Sequence, residues 1–175
     1  MRAATDLLIR YAASHRDERN ITSHFVGVPM IVLGLGVALA RPSYAWGGVT
    51  LSPAWLAFAG AAAWYVTRGD VTLGLAVSTA VGLLLWLAQS LAHGSTTAWL
   101  GWGAGLFTVG WLVQFLGHCY EGKKPAFVED LTGLLVGPMF VTAEAMFLVG
   151  FKRALMAEIE RRVGPPVVRD LARIA

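Results

Sequence analysis

Two stretches decide what kind of molecule this is: VTLGLAVSTAVGLLLWLAQSLA, from Val71 to Ala92, and AWLGWGAGLFTVGWLVQFLG, from Ala98 to Gly117. Neither holds a charged residue, and each reaches the roughly 20 apolar residues that a helix needs to cross a bilayer. Three further apolar stretches surround them: Phe25 to Ala40, Pro53 to Thr67 and Leu131 to Phe151. The first two of these are shorter and span only with help from their flanks or a thinner bilayer. Composition agrees. Of 175 residues, 56% are hydrophobic and 14% charged, against about 25% charged in a soluble domain. Mean hydropathy is +0.59. The 20 glycines and seven tryptophans suit a bundle in which Gly packs helices and Trp marks interfaces. The expected fold is an all-α integral membrane protein, and a soluble or disordered chain is excluded. With no repeat, low-complexity tract or long linker, residues 1–175 read as one membrane-embedded domain.

The fifth stretch carries Asp130 just before it, Gly137 and Pro138 inside it and Glu144 near its middle. Proline removes a backbone donor and clashes with the preceding turn, so a kink or break is expected at Pro138. Either it is a kinked span, or it is a broken pair of short helices that does not cross. Charge chooses between them, because Lys and Arg favour the cytoplasmic side. With four spans and a fifth segment that returns, the N-terminal flank, Arg68, Lys123, Lys124 and the C-terminal tail share one side. Thirteen of the 14 basic residues then lie together, with Arg41 opposite. A full crossing divides them equally. The expected architecture is therefore a bundle of about four transmembrane helices, a broken fifth apolar segment and an amphipathic C-terminal helix from Phe151 to Val163, ended by Pro165 and Pro166. Both termini are expected in the cytoplasm. Met1 to Asn20 lacks the apolar core of a signal peptide. A bacterial inner membrane is the expected home, or the endoplasmic reticulum in a eukaryote.

The net charge of +3 is spread over short flanks, which is membrane topology and not a nucleic-acid surface. The single cysteine, Cys119, excludes an internal disulfide and a Cys-based zinc site. The four histidines carry more information. His15, His24 and His118 fall on one side of the membrane, and His93 on the other. In HRDERNITSH, His15 to His24, one continuous helix turns the two imidazoles to opposite faces. A turn between them, with capping residues offered by Arg19 to Ser23 and Pro29 suited to a first helical turn, brings both rings to one point. In QFLGHCYE, Gln114 to Glu121, the side chains of Gln114, His118 and Glu121 share one helix face. Gly117 admits a close neighbour, and Lys123, Lys124 and Pro125 stop the helix. Imidazole with carboxylate and open positions is the ligand set of non-haem Fe(II) oxygenases, and zinc accepts it too. Interfacial His and Glu also simply hydrogen-bond to water and headgroups, so the residues alone leave both readings open. Glu144, ionisable within a membrane segment, pairs with an Arg, supports a ligand or faces water. Asp70, beside Arg68, reads as a loop charge.

At these residues the chain resembles the membrane 2-hydroxy fatty acid dioxygenases, a family named for the metabolism of phytosphingosine to odd-numbered fatty acids. The matching blocks are His15 to Pro29, Gly110-Trp111, Gln114 to His118, Glu121 to Ala126, Gly137 to Phe140, and Glu144. Their order and spacing are specific together although each is weak alone. His93 and the C-terminal tail lie outside them. The resemblance implies an Fe(II)-dependent α-oxidation, in which a 2-hydroxy fatty acid reacts with O2, loses its carboxyl carbon as CO2 and becomes one carbon shorter. It implies His15, His24 and His118 as iron ligands. Glu121 is then a fourth ligand or a base beside them, while Asn20 and Gln114 hold ligands or substrate. The carboxylate and adjacent hydroxyl of such a substrate suit chelation of a hard metal. Its acyl tail is expected among the apolar helices, and Lys123 or Lys124 is a candidate for attracting the carboxylate. The partners are the hydroxy acid, O2 and membrane lipid, with a homo-oligomer open.

Histidine-box diiron hydroxylases need more imidazoles than the four present. A haem carrier using His24 and His118 lacks an attachment motif. A non-enzymatic membrane scaffold or a small transporter fits the broken fifth segment and Glu144, though no inverted repeat is visible.

Overall fold

The computed structural model describes residues 3–47, 49–123 and 132–170. Lys124, Pro125, Asp130, Leu131 and Arg173 lie outside them. In chain order come α1 (Ala4–Ala12), α2 (Glu18–Leu39), a hairpin of β1 (Tyr44–Trp46) and β2 (Val49–Leu51), then α3 (Pro53–Val66), α4 (Val71–Ala92), α5 (Thr96–Glu121), α6 (Gly133–Leu148) and α7 (Arg153–Val163). Three of these helices, α2, α4 and α5, are long and apolar enough to cross a membrane, and the bent pair α6–α7 makes at most a fourth. The outer surface fits lipid. Trp86 is 67% exposed, Leu112 61% and Leu56 72%, which a water-facing helix avoids.

The second apolar stretch becomes α3, with 14 residues. At about 21 Å it is shorter than a hydrocarbon core of about 30 Å. Contacts fix its direction nonetheless. Where α2 ends, Arg41 donates to the Ala92 and Gly94 carbonyls at the end of α4. Where α3 ends, the Arg68 carbonyl accepts from the Ala4 N–H at the start of α1. The hairpin and α3 therefore carry the chain back from one end of the bundle to the other, and α4 and α5 repeat the passage. Asp70, more than a loop charge, caps α4 by accepting from the Leu73 N–H and binds the Lys152 ammonium at 2.7 Å.

The tightest contact is between α2 and α5. A Cβ on Gly34 would lie 2.6 Å from the backbone nitrogen of Phe107, and one on Gly27 2.8 Å from the Gly110 carbonyl oxygen. A Cβ on Gly110 would in turn press on the Gly27 carbonyl at 2.9 Å. Gly117 continues the seam, its missing Cβ making room for Ser23 and Asn20. Small residues let helix backbones touch where lipid gives no hydrophobic drive. The result is an antiparallel pair whose site ends, near His24 and His118, are locked side by side.

Three local expectations are corrected. The break between the first two histidines precedes Glu18, and its cap is Asp17, whose side chain accepts from the Arg19 N–H. Residues 19–23 lie inside the helix, and Pro29 lies in its interior, not its first turn. Helix α5 stops at Gly122, which takes a left-handed φ of 66° that glycine adopts without steric cost. Finally, α6 runs unbroken through Pro138. The chain bends by 114° beyond it, between α6 and α7, where Gly150 and Lys152 take positive φ. The amphipathic helix forms as expected, starting at Arg153.

Replacing Gly34 by Ala forces two backbones apart, which should destabilise the bundle by about 1–3 kcal/mol. Gly60→Ala is the control, since a Cβ there meets nothing within 4 Å. Unfolding midpoints in detergent should fall for Gly34→Ala and hold or rise for Gly60→Ala; equal midpoints would remove the seam argument.

Candidate metal centre

The turn between α1 and α2 holds His15, the second turn of α2 holds His24, and the last turn of α5 holds His118. All three rings are buried, and one nitrogen of each lies within 4.8 Å of the others. Among the described residues this is the one group of histidine, cysteine or acidic side chains so arranged. His93 is exposed at the other end of the bundle, after α4, and Cys119 is exposed too.

The hydrogen bonds decide what the rings present to each other. The Nδ1 of His15 lies 2.6 Å from the Tyr11 carbonyl, and that of His24 lies 2.8 Å from the Asn20 carbonyl. A carbonyl oxygen only accepts, so both Nδ1 atoms carry the proton and both Nε2 atoms carry a lone pair. Those two Nε2 atoms stand 2.9 Å apart. Two lone pairs cannot hydrogen-bond each other. Protonating one would put an imidazolium in a buried site, and burial opposes it at His15. Burial first, then the repulsion of positive charge on His24, His118 or Arg16, hold the His15 pKa well below 6.5, against the pull of the Tyr11 carbonyl. A third nitrogen, Nδ1 of His118, is buried without a partner. The donor set fits a metal ion. Two nitrogens each about 2.1 Å from one ion and at right angles are about 3.0 Å apart. Tyr11 stacks on His15 at 4.0 Å, and Phe140 lies 5.4 Å from that ring, so ring orientation is set by packing as well.

Glu121 does not join the three rings. Its Oε2 accepts from the N–H groups of Arg16 (2.8 Å) and Asp17 (2.7 Å) and from the Asn20 amide (3.3 Å), which pins the turn carrying His15. Its Oε1 pairs with the Arg169 guanidinium at 2.6 Å. Arg169 belongs to the segment after α7, which folds back over the site. There Val167 and Asp17 form an isolated bridge, and the Arg169 N–H donates to Asp17 at 2.9 Å. The Arg19 side chain is the main reason that the Asp17 carboxyl falls to about 2, outweighing its burial. Glu144 pairs with Arg16 at 3.4 Å, the first of its three expected roles. Lys123 donates to the Ala13 carbonyl at 2.7 Å.

A cavity of about 290 Å³ opens beside the rings. Tyr11, His24, Gln114 and His118 line its polar end; Val28, Ile31, Leu35, Phe107 and Trp111 line the rest. Gln114 is buried and its Oε1 has no partner. Asn20 is buried too, with Oδ1 unpaired and its amide on the Ser14 carbonyl. Sequence reasoning missed Tyr11, although it stands one helical turn before His15. It also missed Arg169, which follows two prolines in a tail with no local pattern.

A family model described as 2-hydroxy-palmitic acid dioxygenase Mpo1-like matches residues 1–149. The 2-hydroxy-palmitic acid dioxygenase MPO1 of Saccharomyces cerevisiae is 41% identical over 58 residues, which cover 32% of this chain and 33% of the yeast protein. The match thus spans about a third of that relative's length. No solved structure matches the chain.

Glu121→Ala orphans two buried N–H groups and should cost about 2–5 kcal/mol. Glu121→Gln keeps an acceptor and should cost less. Metal content of the Gln variant separates the roles: retention marks a clamp on the His15 turn, and loss from folded protein marks a ligand.

Proposed function

The chain belongs to the 2-hydroxy-palmitic acid dioxygenase Mpo1-like family, and from that premise we propose that it is an Fe(II)-dependent dioxygenase that shortens 2-hydroxy fatty acids by one carbon. The carrying observation is the pair of lone pairs 2.9 Å apart at His15 and His24, with His118 beside them. These three residues hold the ion. The reaction balances without a further reductant: a 2-hydroxy acid and O2 give the shortened acid, CO2 and water. The bond between C1 and C2 breaks, C2 is oxidised to the new carboxyl, and O2 is reduced. Iron, when bound, supplies the redox chemistry and polarises the headgroup.

The protein's own groups do the rest. Tyr11 and Asn20, through their carbonyls, keep the Nδ1 protons of His15 and His24 in place. Gln114 faces the cavity with a free carbonyl for the substrate hydroxyl and an amide for its carboxylate. Glu121 acts as the clamp of the His15 turn, because its Oε2 accepts from the Arg16 and Asp17 N–H groups while its Oε1 faces the Arg169 guanidinium. The apolar part of the cavity excludes water and takes the acyl chain.

We read residues 1–175 as one domain with four membrane passages, α3 and its flanks being the second. Arg68 beside the start of α1, and Arg41 at the opposite end, support placing the metal site and both termini on the cytoplasmic side.

Anaerobic metal analysis of purified protein should find about one iron per chain, lost by at least roughly tenfold in His118→Ala, with no Soret band in either. Iron-loaded protein given 2-hydroxypalmitate and O2 should release a C15 acid. Equal iron in both proteins removes His118 from the site, and iron-loaded protein that yields no shortened acid at any chain length overturns the substrate assignment.

A further inference from the structure

The cavity beside the histidines does not end the groove between α2 and α5. A second cavity of about 280 Å³ follows it, lined by Gly34, Ala38, Trp99, Leu100, Gly103 and Ala104. Leu35 and Phe107 line both cavities, so these two side chains stand where the cavities meet. Polar groups are confined to the histidine end. Beyond it the walls are apolar apart from the indoles of Trp111 and Trp99, and the Trp99 N–H is already spent on the Val37 carbonyl at 2.7 Å. Leu35 and Phe107 are also partly open to the lipid side, so an acyl chain can slide in from the bilayer.

Length gives the groove a meaning. From His24 to Leu35 the helix rises about 16 Å, and from His24 to Ala38 about 21 Å. An extended chain advances about 1.2 Å per bond, a third of an extended residue. The first cavity therefore takes about 13 to 14 bonds, which run from C2 to roughly C16 of a straight acid, and both cavities together take about 17, to roughly C19. Resting on the dioxygenase reading above, we propose that this groove measures the acyl chain of the substrate. Leu35 and Phe107 form a threshold that a C16 chain just reaches, and the second cavity takes the methyl end of C18 and longer chains. The small side chains of Ala38 and Ala104 keep that second cavity open. Continuity with the histidines identifies the occupant as the substrate's own chain; a bulk lipid chain, which needs no headgroup site, is the competing occupant.

Two measurements test this. Ala104 is exposed at the groove wall, so Ala104→Phe fills the second cavity from a position outside the glycine contacts of the α2–α5 seam. In competition assays with 2-hydroxy acids of C14 to C22, the C20 to C16 turnover ratio should fall at least about tenfold in Ala104→Phe and rise in Leu35→Ala. The ratio is internal to each preparation, so partial misfolding does not mimic it. Unchanged ratios in both variants overturn the proposal and leave the groove to bulk lipid. The second measurement needs no turnover. Metal-loaded wild type under argon is photolysed with 2-hydroxy acids carrying a terminal diazirine. The C16 probe should label near Leu35 and Phe107, and the C20 probe near Ala38, Leu100 and Ala104. Labels scattered over the outer faces of α3 and α4 also overturn the groove. Groove labelling without any shortened acid upholds the groove and sinks the dioxygenase reading, so the two failures are distinguishable.

Discussion

Everything at the histidine cluster depends on how closely α2 and α5 approach. Glycines at 27, 34 and 110 let the backbones touch, and Gly117 leaves room for the side chains of Ser23 and Asn20; that contact fixes the axial register as well as the separation. His24 and His118 sit at neighbouring ends of the two helices, so their rings converge because the seam permits no slide. In lipid, apolar side chains gain little by leaving one hydrocarbon environment for another, and close van der Waals packing carries the association instead. At Gly27 and Gly34 an added methyl has nowhere to go, since the nearest opposing atoms are backbone.

His15 reaches the centre by another route. It stands outside the helices, in a turn whose N–H groups are gathered by one carboxylate, Glu121, projecting from the end of α5. The helix that supplies one imidazole thus also positions the turn that supplies another. Folding therefore creates a set of electron pairs pointing at each other, an arrangement unfavourable by itself and relieved by a cation. Under the proposed function, metal binding would be coupled to folding at such a site.

Charges around the centre follow the rule for buried ions. Arg16 with Glu144, and Arg169 with Glu121, are paired across distant parts of the chain. The tail beyond α7 is held by Asp17, which also caps α2. Removing water from these groups costs several kcal/mol per ion, and pairing with added hydrogen bonds offsets it. The tail thereby packs over the turn that carries His15, while the cavity beside the rings runs from a polar end to an apolar one.

Residue order alone pointed to the membrane class, because runs such as Val71 to Ala92 hold no charge and are long and apolar enough to cross a bilayer. It determined that Gln114, His118 and Glu121 share a face, because helical spacing is local, and the family's blocks picked out His15 and His24. The placing of His93 away from the other three followed from counting passages. What sequence could not decide was where helices end and what each polar group answers to. Pro138 and Pro29 lie within intact helices because packing outweighs the loss of one backbone donor each, while the chain bends at Gly150 and Lys152. Glu121 shares a helix face with His118 by spacing, and the fold adds two N–H groups a hundred residues away that donate to its Oε2. Arg169 acquires its role only through contacts across the fold, whereas Tyr11 stands within local reach of His15, one helical turn away. Periodicity is written into neighbouring residues; the partner of a lone pair or a carboxylate is set by which distant segments the folded chain brings within reach.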